Sequence, residues 1–184
     1  MRVAPPPILE ADFSIISVPI DFLGVNYYSR AVVRSAKVAE EANAPRTVFV
    51  SDDQTDMGWE VHPDGLFELL CRLHRDYAPR ALYITENGAA YDTPPGPDGR
   101  VRDDERRAYL EGHLSAAWRA CAEGVPLRGY FLWSLLDNYE WSHGYAKRFG
   151  IVWVDYATQE RLPKESAGWY RDVVRAHGLP EYNA

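Results

Sequence analysis

The chain has 184 residues, of which 46% are hydrophobic and 26% charged. It can therefore form one domain with a sizeable core and is not typical of a disordered or fibrous protein. Its net charge of −7 and its scattered basic residues argue against a nucleic-acid partner bound through phosphate contacts. No apolar run approaches the roughly eighteen residues of a membrane span, so we expect no membrane partner. Aromatic residues make up 13% of the chain, and such side chains serve either a large core or flat platforms for sugar rings.

The amino-terminal residues are expected to form an extended approach segment over residues 1–19, because the three prolines at 5–7 favour extended backbone. This start lacks the apolar core of a secretory signal. Cys71 and Cys121 fall on apolar helical faces, and we interpret them as small hydrophobic residues rather than as a disulfide. These features favour a reducing, cytoplasmic setting, with residues 1–184 as a single domain.

The first predicted strand lies within residues 20–28, an apolar stretch whose carboxyl end, Asn26–Tyr28, is polar and aromatic. Residues 34–58 have few periodic apolar positions and are predicted to be irregular, and a loop of this length is usually functional. Trp59 stands at its end. A proline then suits the first position of a helix, and apolar residues recur at helical spacing over 63–77, so a helix with one buried stripe is predicted there.

A second buried strand is predicted over residues 81–85, which are apolar and rich in β-forming residues. The apolar run stops at Glu86, and the pair Asn87-Gly88 is typical of a turn with positive φ. A carboxylate at the carboxyl end of a buried strand lies where parallel α/β proteins carry out their chemistry. The alternative is an ordinary turn that carries a solvated acid.

The remaining elements alternate in the same way. They are a Pro/Gly-rich loop over 91–100, a helix from 103 to 124, a strand over 127–136, a short strand over 150–156, and a helix over 163–177 capped by Gly178. The residues predicted to face inward from the two helices are Leu110, Leu114, Ala117, Trp118 and Cys121, then Trp169, Tyr170, Val173 and Val174. Long crossovers between successive strands predict a parallel α/β chain with three long strands and right-handed connections.

The stretch from Trp133 to Trp141 is a second candidate for chemistry. Its strand part ends near Trp133, so Glu140 and Trp141 lie in the loop beyond. A carboxylate can accept hydrogen bonds from two neighbouring sugar hydroxyls, while an indole covers the apolar face of a sugar or donates through its N–H. The alternative is that both tryptophans belong to the core and that Glu140 is a surface charge. Three strand ends that finish in polar and aromatic residues favour the sugar site.

Four short motifs follow one another along the chain: Asn26-Tyr27-Tyr28, Ile84-Thr85-Glu86-Asn87-Gly88, residues 133–141, and Lys147-Arg148-Phe149-Gly150-Ile151. In this order they resemble the carboxyl-terminal signatures of glycoside hydrolase family 1, the β-glucosidases and their relatives. The likeness runs from about Ile20 to Val174. Because the family fold is a (β/α)₈ barrel, the resemblance implies an α/β chain that is a partial TIM barrel, formed by its last three strand–helix units.

The resemblance also implies a retaining mechanism with two carboxyl groups, without a cofactor or a metal. Glu86 matches the nucleophile of the family, on its seventh strand, and Tyr28 matches the tyrosine that orients that nucleophile. The positions matched to substrate binding are Trp133, Glu140 and Trp141 for the non-reducing sugar, Phe149 as a sugar-packing aromatic, Trp59 on the aglycone side, and Asn26. The implied substrate is a β-glucoside or a related oligosaccharide. A sugar phosphate is disfavoured, because Glu140 would repel it.

One part of the family pattern is missing. The general acid/base of the family lies in a T-x-N-E-P motif on the fourth strand, and this chain contains no Glu-Pro pair. Retaining hydrolysis needs a second carboxyl group about 5–5.5 Å from the nucleophile, and three strands alone would leave unpaired edges and an apolar inner face. We therefore expect a fragment, a split-gene product or a subunit, complemented by an amino-terminal barrel half or by self-association, with negligible activity alone. The alternative is a non-catalytic carbohydrate-binding or structural remnant of this fold.

Overall fold

The computed structural model describes residues 7–48 and 50–179. The strands are β1 (Leu23–Asn26), β2 (Val32–Val33), β3 (Thr47–Val48), β4 (Leu82–Asn87), β5 (Leu127–Leu132), β6 (Val152–Val154) and β7 (Arg161–Pro163). The helices are α1 (Glu10–Ile16), α2 (Ala36–Glu41), α3 (Pro63–Tyr77), α4 (Asp104–Ala122) and α5 (Glu165–Ala176). Across these described ranges, no helix is both long enough and apolar enough to cross a membrane.

The three longest strands form one sheet in the order β1-β4-β5, and both pairings are parallel. Leu82 of β4 pairs with Leu23 on one side and with Leu127 on the other. Helix α3 lies between β1 and β4 along the chain, and α4 lies between β4 and β5. The predicted parallel α/β arrangement of three long strands is confirmed.

One face of this sheet is covered by α3 and α4. Leu82 and Ile84 of β4 are completely buried there, and burying one such side chain stabilises a fold by about 1.5–3 kcal/mol. The buried residues of this cluster are Val25, Tyr27, Leu66, Leu70, Leu82, Ile84, Ala117, Ala120 and Val125. The core of the chain therefore lies between the sheet and its two crossover helices.

Within residues 7–48 and 50–179, no helix covers the opposite face of the sheet. Tyr83 of β4 pairs with Gly24 on β1 and with Gly129 on β5, so these three residues share that face. The tyrosine ring lies over the small neighbour, since a Cβ at Gly129 would come 2.7 Å from Tyr83 Cδ1. Phe22, whose ring meets that of Tyr83 edge-on at 5.2 Å, and Phe131 are 54% and 57% exposed. We call the surface formed by these five residues the open face.

Two segments predicted to lack regular structure contain it. The approach segment 1–19 was expected to be extended, but residues 10–16 form α1; its residues 1–6 lie outside the described part. The stretch 34–58 was expected to be irregular, but it contains α2 and the strand β3, which pairs antiparallel with β2. The Ser35 side chain caps α2 by accepting a hydrogen bond from Val38 N at 3.3 Å, and so short a helix leaves no clear apolar period in the sequence.

The predicted apolar face of α4 is wrong in part. Trp118 is 52% exposed and Cys121 is exposed, whereas Arg106 and His113 are buried, with 1% and 0% exposure. Periodicity counts apolar residues only, so it cannot detect a buried arginine whose donors are satisfied by distant carbonyl groups. On α5, Val174 is 54% exposed although it was expected to face inward.

Several predicted element ends also shift. Strand β5 stops at Leu132 and does not continue to residue 136, and β6 covers only Val152–Val154. Helix α5 ends with His177 in the left-handed region at φ +53°, in place of the expected Gly178. The two cysteines are both free, as predicted.

Candidate active site

Glu86 is the last residue but one of β4, at a point where the strand pairing is irregular. Val25 of β1 pairs with Ile84, but the next β1 residue, Asn26, pairs with Glu86, so Thr85 is left over. Thr85 and Glu86 are both half-buried, whereas the strand alternates regularly before them. Such a bulge changes the direction of a side chain near a functional site. It sets the direction of the Glu86 carboxylate at the carboxyl end of the sheet.

Tyr28 is the direct partner of that carboxylate. Its hydroxyl donates a hydrogen bond to Glu86 Oε2 at 2.7 Å, and the neighbouring Tyr27 N donates to the Glu86 carbonyl at 2.9 Å. Burial, together with the hydrogen bond to Glu86 and its charge, raises the pKa of Tyr28 well above its ordinary value, and the charge of Glu140 adds to the rise. Tyr28 therefore keeps its proton and acts as a donor. Glu86 is not the solvated acid of an ordinary turn.

Asn87, the residue after Glu86, forms hydrogen bonds to the segment that carries Tyr28. Its fully buried amide nitrogen donates to the Tyr27 carbonyl at 2.7 Å, and its Oδ1 accepts from the Tyr130 hydroxyl at 2.5 Å. The Tyr109 hydroxyl lies 3.1 Å from Asn87 Nδ2 and donates to the Tyr28 carbonyl at 2.9 Å. Sequence reasoning missed this role, because it assigned Asn87 to a turn.

Gly88 also differs from its prediction. Neither Asn87 nor Gly88 is among the positive-φ residues, so the expected left-handed turn is not formed. A Cβ at Gly88 would lie 1.8 Å from the Trp133 carbonyl oxygen. The glycine is therefore required by a close approach of two backbones, not by a left-handed conformation.

Three of the candidate aromatic residues lie against one another. The rings of Tyr28 and Trp59 are 5.4 Å apart, those of Tyr28 and Phe149 are 6.0 Å apart, and those of Trp59 and Phe149 are 6.2 Å apart. Phe149 is only 3% exposed, while Trp59 is half-buried. The three rings form a wall beside Glu86.

A cavity of about 550 Å³ extends from this wall towards the β2–β3 hairpin. Asn26, Tyr28 and Trp59 line one side of it, and hairpin residues, including Val32 and Val48, line the other. Asn26 Oδ1 accepts a hydrogen bond from the Thr85 hydroxyl at 2.6 Å, next to Glu86. The cavity therefore lies between the residues that follow β1 and the β2–β3 hairpin.

The loop from residue 133 to residue 141 follows β5 directly. Trp133 N donates to the Asn87 carbonyl at 2.9 Å, so the loop starts beside the Glu86 strand. Glu140 is half-buried, and its charge acts on Tyr28, as described above. Trp141 is 79% exposed with φ +40°, so it is not a core residue. Among the residues that the structure describes, Trp141 makes no ring contact with the other candidates.

The family model described as "Glycosyl hydrolase family 1" matches residues 2–179. The chain belongs to glycosyl hydrolase family 1. It is 50% identical to "Beta-glucosidase A" of Thermotoga maritima over 173 residues, which are 92% of this chain and 38% of that protein. It is 51% identical to "Thermostable beta-glucosidase B" of Thermobispora bispora, covering 91% of this chain and 36% of the relative.

A solved structure gives the same result for the fold. The family 1 β-glucosidase from Thermotoga maritima in complex with isofagomine lactam matches with a TM-score of 0.84 at 50% identity, over 92% of this chain and 38% of the other. The chain is thus an α/β protein that matches part of a TIM-barrel glycosidase and resembles the carboxyl-terminal portion of the family. It spans less than two-fifths of the length of these relatives, at 38%.

A buried arginine, which sequence reasoning missed, holds together two loops of this family 1 chain. Arg106 Nη2 donates to the carbonyls of Tyr91 at 2.9 Å and Arg148 at 3.0 Å, and Nη1 donates to the Ala89 carbonyl. Its charge is balanced by Asp103 at 2.9 Å. The loop after Glu86 is therefore fixed to the segment that carries Phe149. No local sequence signal marks Arg106, because its partners are far away along the chain.

Proposed function

We propose that this family 1 chain is the nucleophile-bearing, carboxyl-terminal part of a retaining β-glucosidase that acts on terminal β-D-glucosyl or related residues. The observation that carries the proposal is the 2.7 Å hydrogen bond from Tyr28 to Glu86 at the carboxyl end of a parallel strand. A nucleophilic carboxylate has to be held in one direction and kept ionised. The protonated Tyr28 hydroxyl holds one oxygen of the Glu86 carboxylate in a fixed direction.

In the proposed reaction, a Glu86 oxygen attacks the anomeric carbon of the sugar and forms a glycosyl ester. The bond from that carbon to the leaving oxygen breaks, and a second carboxyl group, about 5–5.5 Å away, gives its proton to that oxygen. The resulting carboxylate then takes a proton from water. That water attacks the anomeric carbon and releases Glu86, so the configuration is retained. The second carboxyl group comes from strands outside this chain.

The sugar would be bound by the residues around Glu86. Glu140 would accept hydrogen bonds from sugar hydroxyls, and the exposed indole of Trp141 would lie along the sugar together with Trp133. The remaining proposed contacts are Phe149 packing on the sugar, Trp59 at the aglycone, and Asn26 as a further substrate-binding residue. The position of Trp59 in the wall of the 550 Å³ cavity supports the aglycone assignment.

The open face supports a proposal about partners. Parallel sheets are normally covered on both faces, and the strands of a barrel leave no unpaired edge. Phe22 and Phe131 are more than half exposed on the open face, and among the described residues the order β1-β4-β5 leaves β1 and β5 as edges. We therefore propose that an amino-terminal barrel portion, or a second copy of the chain, covers this face.

The nucleophile assignment is tested by covalent labelling. The chain is joined to the amino-terminal portion of the Thermotoga maritima relative, giving a protein that we call the joined enzyme. A 2-deoxy-2-fluoro-β-glucoside with a dinitrophenolate leaving group needs no protonation, and its ester hydrolyses slowly. Peptide mass mapping should locate the sugar on Glu86. Glu86→Gln should abolish labelling, whereas Glu123→Gln, at an exposed position, should not. Labelling at another carboxylate would overturn the assignment.

The absence of a Glu-Pro pair favours a second candidate, a non-catalytic carbohydrate-binding or structural remnant. General acid catalysis is typically worth about 10²–10⁴-fold. The chain alone should therefore hydrolyse glucosides with poor leaving groups at least about 10²-fold more slowly than the joined enzyme. If the joined enzyme is equally inactive and is not labelled, the remnant is the better description.

A further inference from the structure

The segment from Trp133 to Trp141, which we call the 133–141 loop, contains a buried carboxylate to which the family resemblance assigns no role. Asp137 is 4% exposed as a residue, and its side chain is completely buried. It lies three residues before Glu140. A buried carboxylate is costly unless it is paired and hydrogen-bonded, so its partners define what it does.

The Asp137 carboxylate joins the 133–141 loop to two other segments. Oδ1 accepts from Gly150 N at 2.9 Å and from Lys164 Nζ at 3.0 Å, and Oδ2 accepts from Arg148 Nη1 at 2.9 Å. Gly150 and Arg148 belong to the segment that carries Phe149, and Lys164 directly precedes α5. Lys164 is 1% exposed. Each oxygen thus has a cationic partner in a site closed to water.

The backbone around Asp137 leaves little room for movement. Asp137 N donates to the Val152 carbonyl at 3.0 Å, and a Cβ at Gly150 would come 2.1 Å from Asp137 N. Beyond this point, Glu140 N donates to the nearby Gly144 carbonyl at 2.7 Å, and the Tyr156 hydroxyl lies 3.5 Å from the Asn138 carbonyl. Asp137 is therefore the last buried anchor before Glu140.

Removing one member of this cluster would leave an unbalanced charge inside the protein. Lys164 also faces the buried pair of Arg106 and Asp103, and the partly buried Arg148 has a second, exposed partner in Asp92 at 3.0 Å. The cluster thus contains three cations and three carboxylates. Truncating one partner of a buried pair is far more disruptive than changing a surface charge. The nearest segment free to respond is the outer half of the 133–141 loop.

We propose that Asp137, held by Lys164 and Arg148, is a positioning residue that fixes Glu140 and Trp141 for sugar binding. The inference rests on the proposed function, since it assumes that Glu140 contacts the sugar. Asp137 touches no substrate in this proposal. It acts through the loop, and its contribution is expected only while Glu140 is present.

A double-mutant cycle in the joined enzyme tests this. Asp137→Asn, Glu140→Ala and the double variant are compared by kcat/KM on an aryl β-glucoside, divided by the number of sites that the fluoroglucoside labels. Division by labelled sites removes any loss of folded protein. Asp172→Asn, an exposed residue paired with Arg171 on α5, is the matched control. Lys164→Met, combined with Glu140→Ala, gives a second cycle if Asp137→Asn folds poorly.

Asp137→Asn should lower kcat/KM per labelled site by about tenfold, and the double variant should lie within about twofold of Glu140→Ala, because coupled residues are not additive. Asp172→Asn should be unchanged. If the losses in kcat/KM of the two single variants multiply in the double variant, the inference is overturned. The same holds if Asp137→Asn shows no loss per labelled site. Either result leaves the proposed function intact. If neither Asp137→Asn nor Lys164→Met yields any labelled sites, the cluster serves stability and the inference is also overturned. A parent enzyme that is not labelled at Glu86 would overturn the proposed function and this inference together.

Discussion

The two faces of the three-stranded sheet differ in what covers them. On the covered face, Leu82 and Ile84 are completely buried under α3 and α4. On the open face, Phe22 and Phe131 are more than half exposed, although Tyr83 fills the space over Gly129. Within the described residues, one face is therefore packed against helices, while the other exposes large aromatic side chains of the kind that are normally buried. Stability should come from the first face and association from the second.

Matched truncations on the two faces should give the largest difference. Ile84→Ala should lower the free energy of unfolding by about 2–5 kcal/mol, because it removes a buried side chain and leaves a cavity. Phe131→Ala should cost less than about 1 kcal/mol in the dilute chain, since its ring is 57% exposed. Urea unfolding of both variants measures this. In the joined enzyme, the cost of Phe131→Ala should rise towards that of Ile84→Ala, and equal costs in the isolated chain would contradict the comparison.

The covered side should also show a pH effect. Burial lowers the pKa of His113 to about 4 from an ordinary value of 6.5, against an opposing hydrogen bond with the Tyr109 carbonyl. Between these two values, the unfolded chain binds more protons than the folded one, so stability falls as the pH drops from 6.5 towards 4. The loss should be about 2–3 kcal/mol greater in the wild type than in His113→Gln. Urea unfolding at pH 7 and pH 4 tests this, and parallel curves would contradict it.

The smallest effect concerns association through the open face. The chain alone should self-associate at micromolar concentration, because apolar surface and strand edges are exposed together. Phe131→Ser should weaken the association constant by about fivefold, since one partly buried contact is worth about 1 kcal/mol. Val38→Ser is the control, as Val38 is 48% exposed on α2, outside the three-stranded sheet. Sedimentation measures both variants. A compact wild-type monomer would contradict the open-face argument.

The sequence alone predicted the long elements whose residues form a clear local pattern. Helix α3 was predicted with its bounds, and β4 was recognised with Glu86 at its carboxyl end, because apolar runs and their interruptions are properties of neighbouring residues. The short elements α1, α2 and the β2–β3 hairpin were missed, since six or seven residues give too few turns to form a readable period.

The supports of the site could not be predicted locally. Asn87 bonds to Tyr130, 43 positions away, and Asp137 bonds to Lys164, 27 positions away. Each looks like an ordinary polar residue in the sequence, and only the fold brings its partners within reach. The candidate residues themselves came from motifs. The groups that hold them in place came from tertiary structure.

The backbones at Gly88 and Trp133 lie so close that a Cβ at position 88 would come 1.8 Å from the Trp133 carbonyl oxygen. The spacing between the Glu86 strand and the 133–141 loop is set by main chain against main chain at this point. Specificity could then be retuned at the tip of the loop, at Glu140 or Trp141, without changing the geometry of attack. At Gly88, by contrast, even one added methyl group would displace the Glu86 strand and the 133–141 loop relative to each other.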